Sequence, residues 1–199
     1  MTVAAVILSA STEGALAPTD GVPRVRRLAD VAWAGGAFPV VVVAPDPDGT
    51  VAAALAGTEA TWAAPARPEA GPVGHVAEGI RVAAEAIAET EAVLVWPARH
   101  CWVDAGTVTS LIEAHGLDRS SILRAAYRGE AGWPALLPLR HLDALTSLGP
   151  ARMPGDLLDD LAAVGIASRS LELGDPGAVM DADTPREEQP PFEGPRGTG

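Results

Sequence analysis

Three short stretches of this sequence carry side chains that could do chemistry. The first is Ser9-Ala10-Ser11-Thr12-Glu13-Gly14, where the hydroxyls of Ser11 and Thr12 and the open backbone at Gly14 suit an anion, while Glu13 opposes one. The second runs from Ala98 to Trp102 and sets a guanidinium, an imidazole, a thiol and an indole (Arg99, His100, Cys101, Trp102) between an apolar run and a helix. The third is Asp181-Ala182-Asp183-Thr184-Pro185; taken alone, these paired carboxylates form a solvated turn. Gly71-Pro72-Val73-Gly74 reads as a turn and helix start, with His75 as a surface or cap residue. Trp133 either stacks on a ligand ring or fills the core.

Such side chains need a frame to hold them. Ala92 to Trp96 is an unbroken apolar run, which suits a parallel strand covered on both faces, and Pro97 ends it. Asp104 then caps a helix that carries Val108, Leu111, Ile112 and His115 on one face, with Gly116 placed to close it. The loop between this strand and helix falls where open α/β sheets bind ligands, beyond the carboxyl ends of the strands. Upstream, Val3 to Leu8 reads as the first strand, Ser9 to Gly21 as a loop, Arg24 to Ala34 as a helix stopped by Gly35-Gly36, and Phe38 to Ala44 as a second strand. Further helices are expected over 50–56, 74–89, 140–148 and 156–164. Strands are expected over 59–64, 121–127 and 133–137, with an edge strand over 168–173 and a last strand starting at Val179-Met180.

The alternation predicts right-handed βαβ crossovers and a three-layer α/β/α sandwich on a mainly parallel, Rossmann-like sheet. Val3 to Leu8 should be central, with Val93 to Trp96 beside it. One domain over 1–185 is expected. The segment 186–199 is rich in Pro, Gly, Glu and Arg, with only Phe192 as an anchor, which predicts a disordered tail.

Composition excludes several classes. A net charge of -12 removes phosphate-backbone attraction as a general binding force, so nucleic acid is not an expected partner. All 14 basic residues are arginine, which rules out any lysine-dependent mechanism. The single cysteine, Cys101, rules out an internal disulfide and a multi-cysteine metal site. No apolar run reaches the roughly 20 residues that span a bilayer, so no membrane partner is expected and the protein should be soluble and cytoplasmic. No G-x-G-x-x-G follows the first strand, which argues against a dinucleotide-binding oxidoreductase.

Taken in order, these stretches resemble the MobA-like nucleotidyltransferases, the molybdenum-cofactor guanylyl- and cytidylyltransferase group. Gly71-Pro72-Val73-Gly74 is similar to the family's G-P-x-x-G, Tyr127 to Pro134 to its Y-x-G-x-x-G-H-P, and Asp181 to Pro185 to its D-I-D-T-P. The departures are chemical. Ser11 stands at a phosphate-loop glycine, no arginine precedes Arg24, Trp133 replaces a histidine, and Arg99 stands where the family carries a metal-binding aspartate.

The resemblance implies a mixed sheet of about seven strands with one antiparallel member. It also implies transfer of a nucleoside monophosphate from GTP or CTP to a small phosphorylated acceptor, with Mg²⁺ held by Asp181 and Asp183. Arg99 and Asp183 would then be catalytic, and Ser11, Thr12, Gly14, Gly71, Gly74 and Trp133 would bind nucleotide. A guanidinium about 6 Å from Mg²⁺ would cost on the order of 5 kcal/mol at an effective dielectric of about 20. Two readings therefore stay open. One is a divergent transferase with Mg²⁺ in which Arg99 pairs phosphate. The other is a non-catalytic module without a cofactor, its degenerate site binding a nucleotide or a protein partner. In either, the alignment of segments places Arg99 near Asp181 or Asp183.

Overall fold

The computed structural model describes residues 1–194. Its strands form where apolar and β-branched residues run together: β4 (Val40–Val43) is four buried valines, and β1 (Thr2–Leu8) is buried at five consecutive positions. Between and after them come α1 (Thr12–Leu16), β2 (Pro18–Thr19), β3 (Val22–Pro23), α2 (Arg24–Ala34), α3 (Thr50–Ala54), β5 (Ala60–Ala63) and α4 (Gly71–Ala86). The chain continues through β6 (Thr90–Pro97), α5 (Ala105–Leu117), β7 (Ile122–Tyr127), β8 (Glu130–Pro138), α6 (Leu142–Thr146), α7 (Pro154–Ala163) and β9 (Ser168–Glu172).

Seven strands form one sheet in the order β5-β4-β1-β6-β8-β7-β9. β1 runs parallel to both β4 and β6, while β8 is antiparallel to β6 and β7. Side chains along β1 alternate between two cores. Val3, Ala5 and Ile7 pack with Leu28 of α2 and Leu111 of α5; Ala4 and Val6 pack with Ile80 of α4 and Leu161 of α7. The result is the expected three-layer α/β sandwich, with β1 inside the sheet and β6 beside it.

Local differences from the sequence reading have physical causes. The stretch expected as a loop up to Gly21 contains α1, whose cap Ser11 accepts the Gly14 N–H, and a β2–β3 hairpin turning at Asp20-Gly21. Both turn residues have positive φ, 52° and 78°, which suits the Asp-Gly pair of a two-residue hairpin. Gly116 does not close α5, which continues to Leu117. The 140–148 helix is a 3-10 turn, Leu139–His141, followed by α6. No strand begins at Val179-Met180, because both of those N–H groups donate to the Pro176 carbonyl and close a turn instead. The part of the expected tail that the structure describes, 186–194, is not free of contacts. Gln189 is buried and donates to the Thr184 carbonyl, the Glu193 N–H donates to Gly174, and the Phe192 ring lies against Gly106. Residues 195–199 lie outside the described residues. Among those described, no helix is long and apolar enough to cross a membrane.

Candidate functional site

The sheet register decides where a site can form. Leu8 pairs with Val43 on one side and with Pro97 on the other, so β1, β4 and β6 end together at one edge. The winding also reverses there, because β4 and β5 extend one way from β1 while β6 and the rest extend the other. A cleft of about 510 Å³ opens at this edge, walled by the loop after β1, the loop after β6, the start of α4 and Trp133 of β8.

The loop after β6 is held by its own chain. The Ala98 N–H donates to Leu8, the His100 N–H to Pro97, and the Trp96 indole N–H to the His100 carbonyl at 2.9 Å. Arg99 and His100 therefore face the cleft, while Cys101 is buried behind them and its thiol is pushed up by that burial.

The segment carrying the paired aspartates is docked from outside the sheet. Asp175, only 1% exposed, accepts hydrogen bonds from the Asp104 N–H at 2.9 Å, the Thr107 hydroxyl at 2.6 Å and the Gly177 N–H at 2.9 Å. Burial still pushes its carboxyl up, against those three bonds. Further on, the Ala182 N–H donates to the Arg99 carbonyl at 2.8 Å, which brings Asp181 and Asp183 to the cleft's mouth.

There the expected pairing is present. Arg99 donates to Asp181 Oδ2 through Nε at 3.1 Å and Nη2 at 2.7 Å, and Nη2 also reaches Asp183 Oδ2 at 2.5 Å. The two aspartates raise the Arg99 pKa by hydrogen bonding to it. Partial burial pulls the Asp181 carboxyl up, but the bonds from Arg99 and from the Asp183 N–H outweigh it and hold the carboxyl below its ordinary range. These residues do not fit a metal ion in this arrangement. Asp181 Oδ1 takes the Asp183 N–H, the facing oxygens take Arg99, and no group of three His, Cys, Asp or Glu side chains suited to a metal exists among the described residues.

The remaining sequence candidates divide. Ser11, Gly14 and Trp133 line the cleft. Thr12 does not: its hydroxyl donates to the Pro45 carbonyl at 2.7 Å, away from the site. Gly71 and Gly74 do not line it either, and close packing accounts for both. A side chain at Gly71 (φ 58°) would meet the Pro150 carbonyl oxygen at 2.0 Å, and one at Gly74 would meet Ala70 Cβ at 2.3 Å. Their neighbours Pro72 and His75 face the cleft instead. His75, expected as a surface or cap residue, has a buried Nδ1 without a partner. Trp133 combines its two readings: it is 8% exposed within the core of one face, and its ring lies 6.4 Å from that of His100.

Sequence reasoning missed Arg24 at the cleft, and it placed His100 in the loop after β6 without giving it a role. Burial drives the His100 pKa down to about 4, so the ring is neutral at physiological pH. Arg24 opens α2 and lines the cleft with its Nε buried and unpartnered. The Asp20-Gly21 hairpin was the available signal, since it folds the chain back and returns the first residue of α2 to the sheet edge.

Comparison with known proteins agrees with this architecture. The model of the MobA-like NTP transferase domain matches residues 12–164. No curated protein matches the chain. Among solved structures it is similar to the Rv0371c protein of Mycobacterium tuberculosis in complex with manganese, at 18% identity and a TM-score of 0.68, covering 94% of this chain and 98% of that one. It is also similar to the 4-diphosphocytidyl-2C-methyl-D-erythritol synthase of Anaerococcus prevotii, at 10% identity and a TM-score of 0.72, covering 94% and 92%. A third similar structure is CMP:2-keto-3-deoxy-manno-octonic acid synthetase complexed with CTP, at 14% identity and a TM-score of 0.64, covering 87% and 90%. At these identities the likeness is one of fold.

Proposed function

This chain belongs to the MobA-like NTP transferase domain family, and from that premise we propose that its cleft binds a nucleotide-type ligand without metal-assisted nucleotidyl transfer. The observation that carries this reading is the Arg99 guanidinium held between Asp181 and Asp183. Nucleotidyl transfer draws most of its rate from positioning and from neutralising the charge that builds on the phosphates, work that a divalent cation on fixed carboxylates does well. Here a guanidinium neutralises the carboxylates instead. It has no lone pair to coordinate an ion and does not lose its proton.

The loop after β1 supports the same reading. Ser11 Oγ accepts the Gly14 N–H at 3.0 Å, the Ser9 hydroxyl donates to the Ser11 carbonyl at 2.9 Å, and Thr12 is turned to Pro45. Groups that would cradle a triphosphate are engaged with one another.

A second reading, an active transferase, is favoured by the exposure of Arg99. Its side chain is 61% accessible, so a rotation into solvent would uncover both carboxylates for a metal such as the manganese of the Rv0371c complex, with Asp183 and Arg99 then facing phosphate. Isothermal titration with GTP and CTP, each with and without Mg²⁺ or Mn²⁺, separates the two when paired with a pyrophosphate-release assay. Binding that ignores the metal, with no pyrophosphate, is the expected result. Metal-dependent pyrophosphate release would overturn it.

A further inference from the structure

Within the same cleft, Arg24 is in a different situation from Arg99. It lines the cleft together with Ser9, Ser11 and Gly14, its Nε is buried without a hydrogen-bond partner, and no ion pair engages it among the described residues. Two histidines that line the wall, His75 and His100, each have a buried Nδ1 that also lacks a partner. Buried polar atoms left unpaired are costly, and in native proteins a ligand or water usually completes them. The rest of the wall is apolar or aromatic: Pro72, Pro97, Ala98, Met153, Pro154 and Trp133.

The charge available to a ligand follows from these contacts. Arg99 carries one positive charge and faces two carboxylates, which leaves that end of the cleft at 1 − 2 = −1. Arg24 carries a positive charge that no ion pair offsets among the described residues, in a chain whose net charge is -12. The cleft can therefore neutralise one anionic group. Additional phosphates would extend toward a net negative end and be repelled. The apolar walls and the Trp133 ring suit a flat, weakly polar body beside that group.

We propose that the cleft selects a ligand with a single phosphate ester and a ring body, the chemistry of a nucleoside monophosphate, anchored by Arg24, over a nucleoside triphosphate. This rests on the reading that the cleft binds without a metal, and it adds the class of ligand and the residue that recognises it. Arg24 contributes the charge, and the His75 and His100 rings line the wall beside it.

The test is metal-free titration of the full chain with GMP, CMP, GTP, CTP, guanosine, phenyl phosphate and inorganic phosphate. GMP or CMP should bind at least tenfold tighter than its triphosphate and than the nucleoside. Phenyl phosphate should retain part of that affinity, and inorganic phosphate little of it. Arg24→Ala should weaken monophosphate binding at least tenfold with an unchanged circular-dichroism spectrum, and Arg24→Lys should restore part of the loss. Triphosphates binding as tightly as monophosphates would overturn the proposal. So would Arg24→Ala binding GMP and CMP like the native chain, or no binding by any phosphate ester. Should Arg24→Ala fail to fold, the ratio of mono- to triphosphate affinity on the native chain decides. Failure of the broader reading is distinguishable, because metal-dependent pyrophosphate release sinks that reading whatever Arg24 does. Absence of turnover together with indifference to Arg24 sinks only this inference.

Discussion

Arg24 and Arg99 line one cleft and carry the same charge, yet among the described residues one pairs with no carboxylate and the other pairs with two. The difference arises from what docks beside each. Arg99 lies in a loop whose own carbonyl captures the Ala182 N–H, so the docking that places the backbone also delivers Asp181 and Asp183. Arg24 follows a hairpin whose own carboxylate, Asp20, pairs with Arg27 at 3.3 Å, while Arg26 turns away to the carbonyls of Ala54 and Ala56. Of the three arginines in that turn, two are engaged and the one at the cleft is left open. A cation's value to a ligand is set by its neighbours rather than by its presence, and low-dielectric walls around an unopposed one concentrate its field.

The strongest way to break this contrast is to release the segment that neutralises Arg99. Asp175 is buried and accepts three hydrogen bonds, two of them from α5 and the residue that caps it, so Asp175→Ala leaves three donors without an acceptor. A loss of about 3 kcal/mol is expected from denaturant unfolding. The same variant should lose protection from hydrogen exchange at the Ala182 amide. A loss under about 1 kcal/mol would mean that the segment docks through other contacts and that Asp175 does not set the charge at Arg99.

A pH titration probes the same end of the cleft through His100. Burial lowers its pKa from 6.5 to about 4, with Asp181 pulling it up and Arg99 pushing it down. In the unfolded chain the ring gains its proton near pH 6.5, whereas in the folded chain it does so only near pH 4. Between those values the unfolded state binds more protons, so this contribution to stability is complete above pH 6.5 and is lost as pH falls toward 4. His115, also lowered by burial, adds to the same slope. The melting temperature should fall across that window, and His100→Asn should flatten the fall without abolishing it. An unchanged slope in His100→Asn would show that the ring is not held neutral in the cleft.

The sheet was legible because its signals are local and strong. Four consecutive valines and the buried run into Trp96 can form little else than inner strands, and Asp104 caps α5 as its position before an apolar-periodic stretch implies. The Arg99 pairing was legible only through the resemblance of two segments, 97–101 and 181–183, to family motifs that share one cleft, since 82 residues separate Arg99 from Asp181 and periodicity carries no information over that distance. What could not be read was orientation. Thr12 and Ser11 are adjacent and chemically alike, yet one hydroxyl caps α1 from the cleft wall and the other bonds to Pro45. Gly71 and Gly74 look like ligand-facing glycines in sequence, but the Pro150 carbonyl and the Ala70 methyl are what require them. Arg24 was hidden for a related reason: its place at the cleft depends on the Asp20-Gly21 hairpin, a turn signal embedded in a stretch with few other strand formers.

The smallest expected effect on stability belongs to Arg99 itself. An ion pair whose arginine is 61% exposed loses most of its Coulomb energy to solvent, and ordering two flexible partners costs entropy. The backbone bond from Ala182 to the Arg99 carbonyl does not depend on the side chain, so Arg99→Ala should keep the segment docked and lose less than about 1 kcal/mol. Its electrostatic consequence should be larger than its energetic one. With the guanidinium gone, Asp181 and Asp183 face each other's charge without a counter-ion, and Mn²⁺ should raise the melting temperature of Arg99→Ala while leaving the native chain unmoved. Arg99→Asp, which adds a third carboxylate, should respond more strongly still. Equal responses to Mn²⁺ in the native chain and both variants would mean that Arg99 does not hold the place of a cation, and the contrast between the two arginines would collapse. A loss of 3 kcal/mol or more in Arg99→Ala would also count against it, because the side chain would then be a structural anchor rather than a charge set against two aspartates.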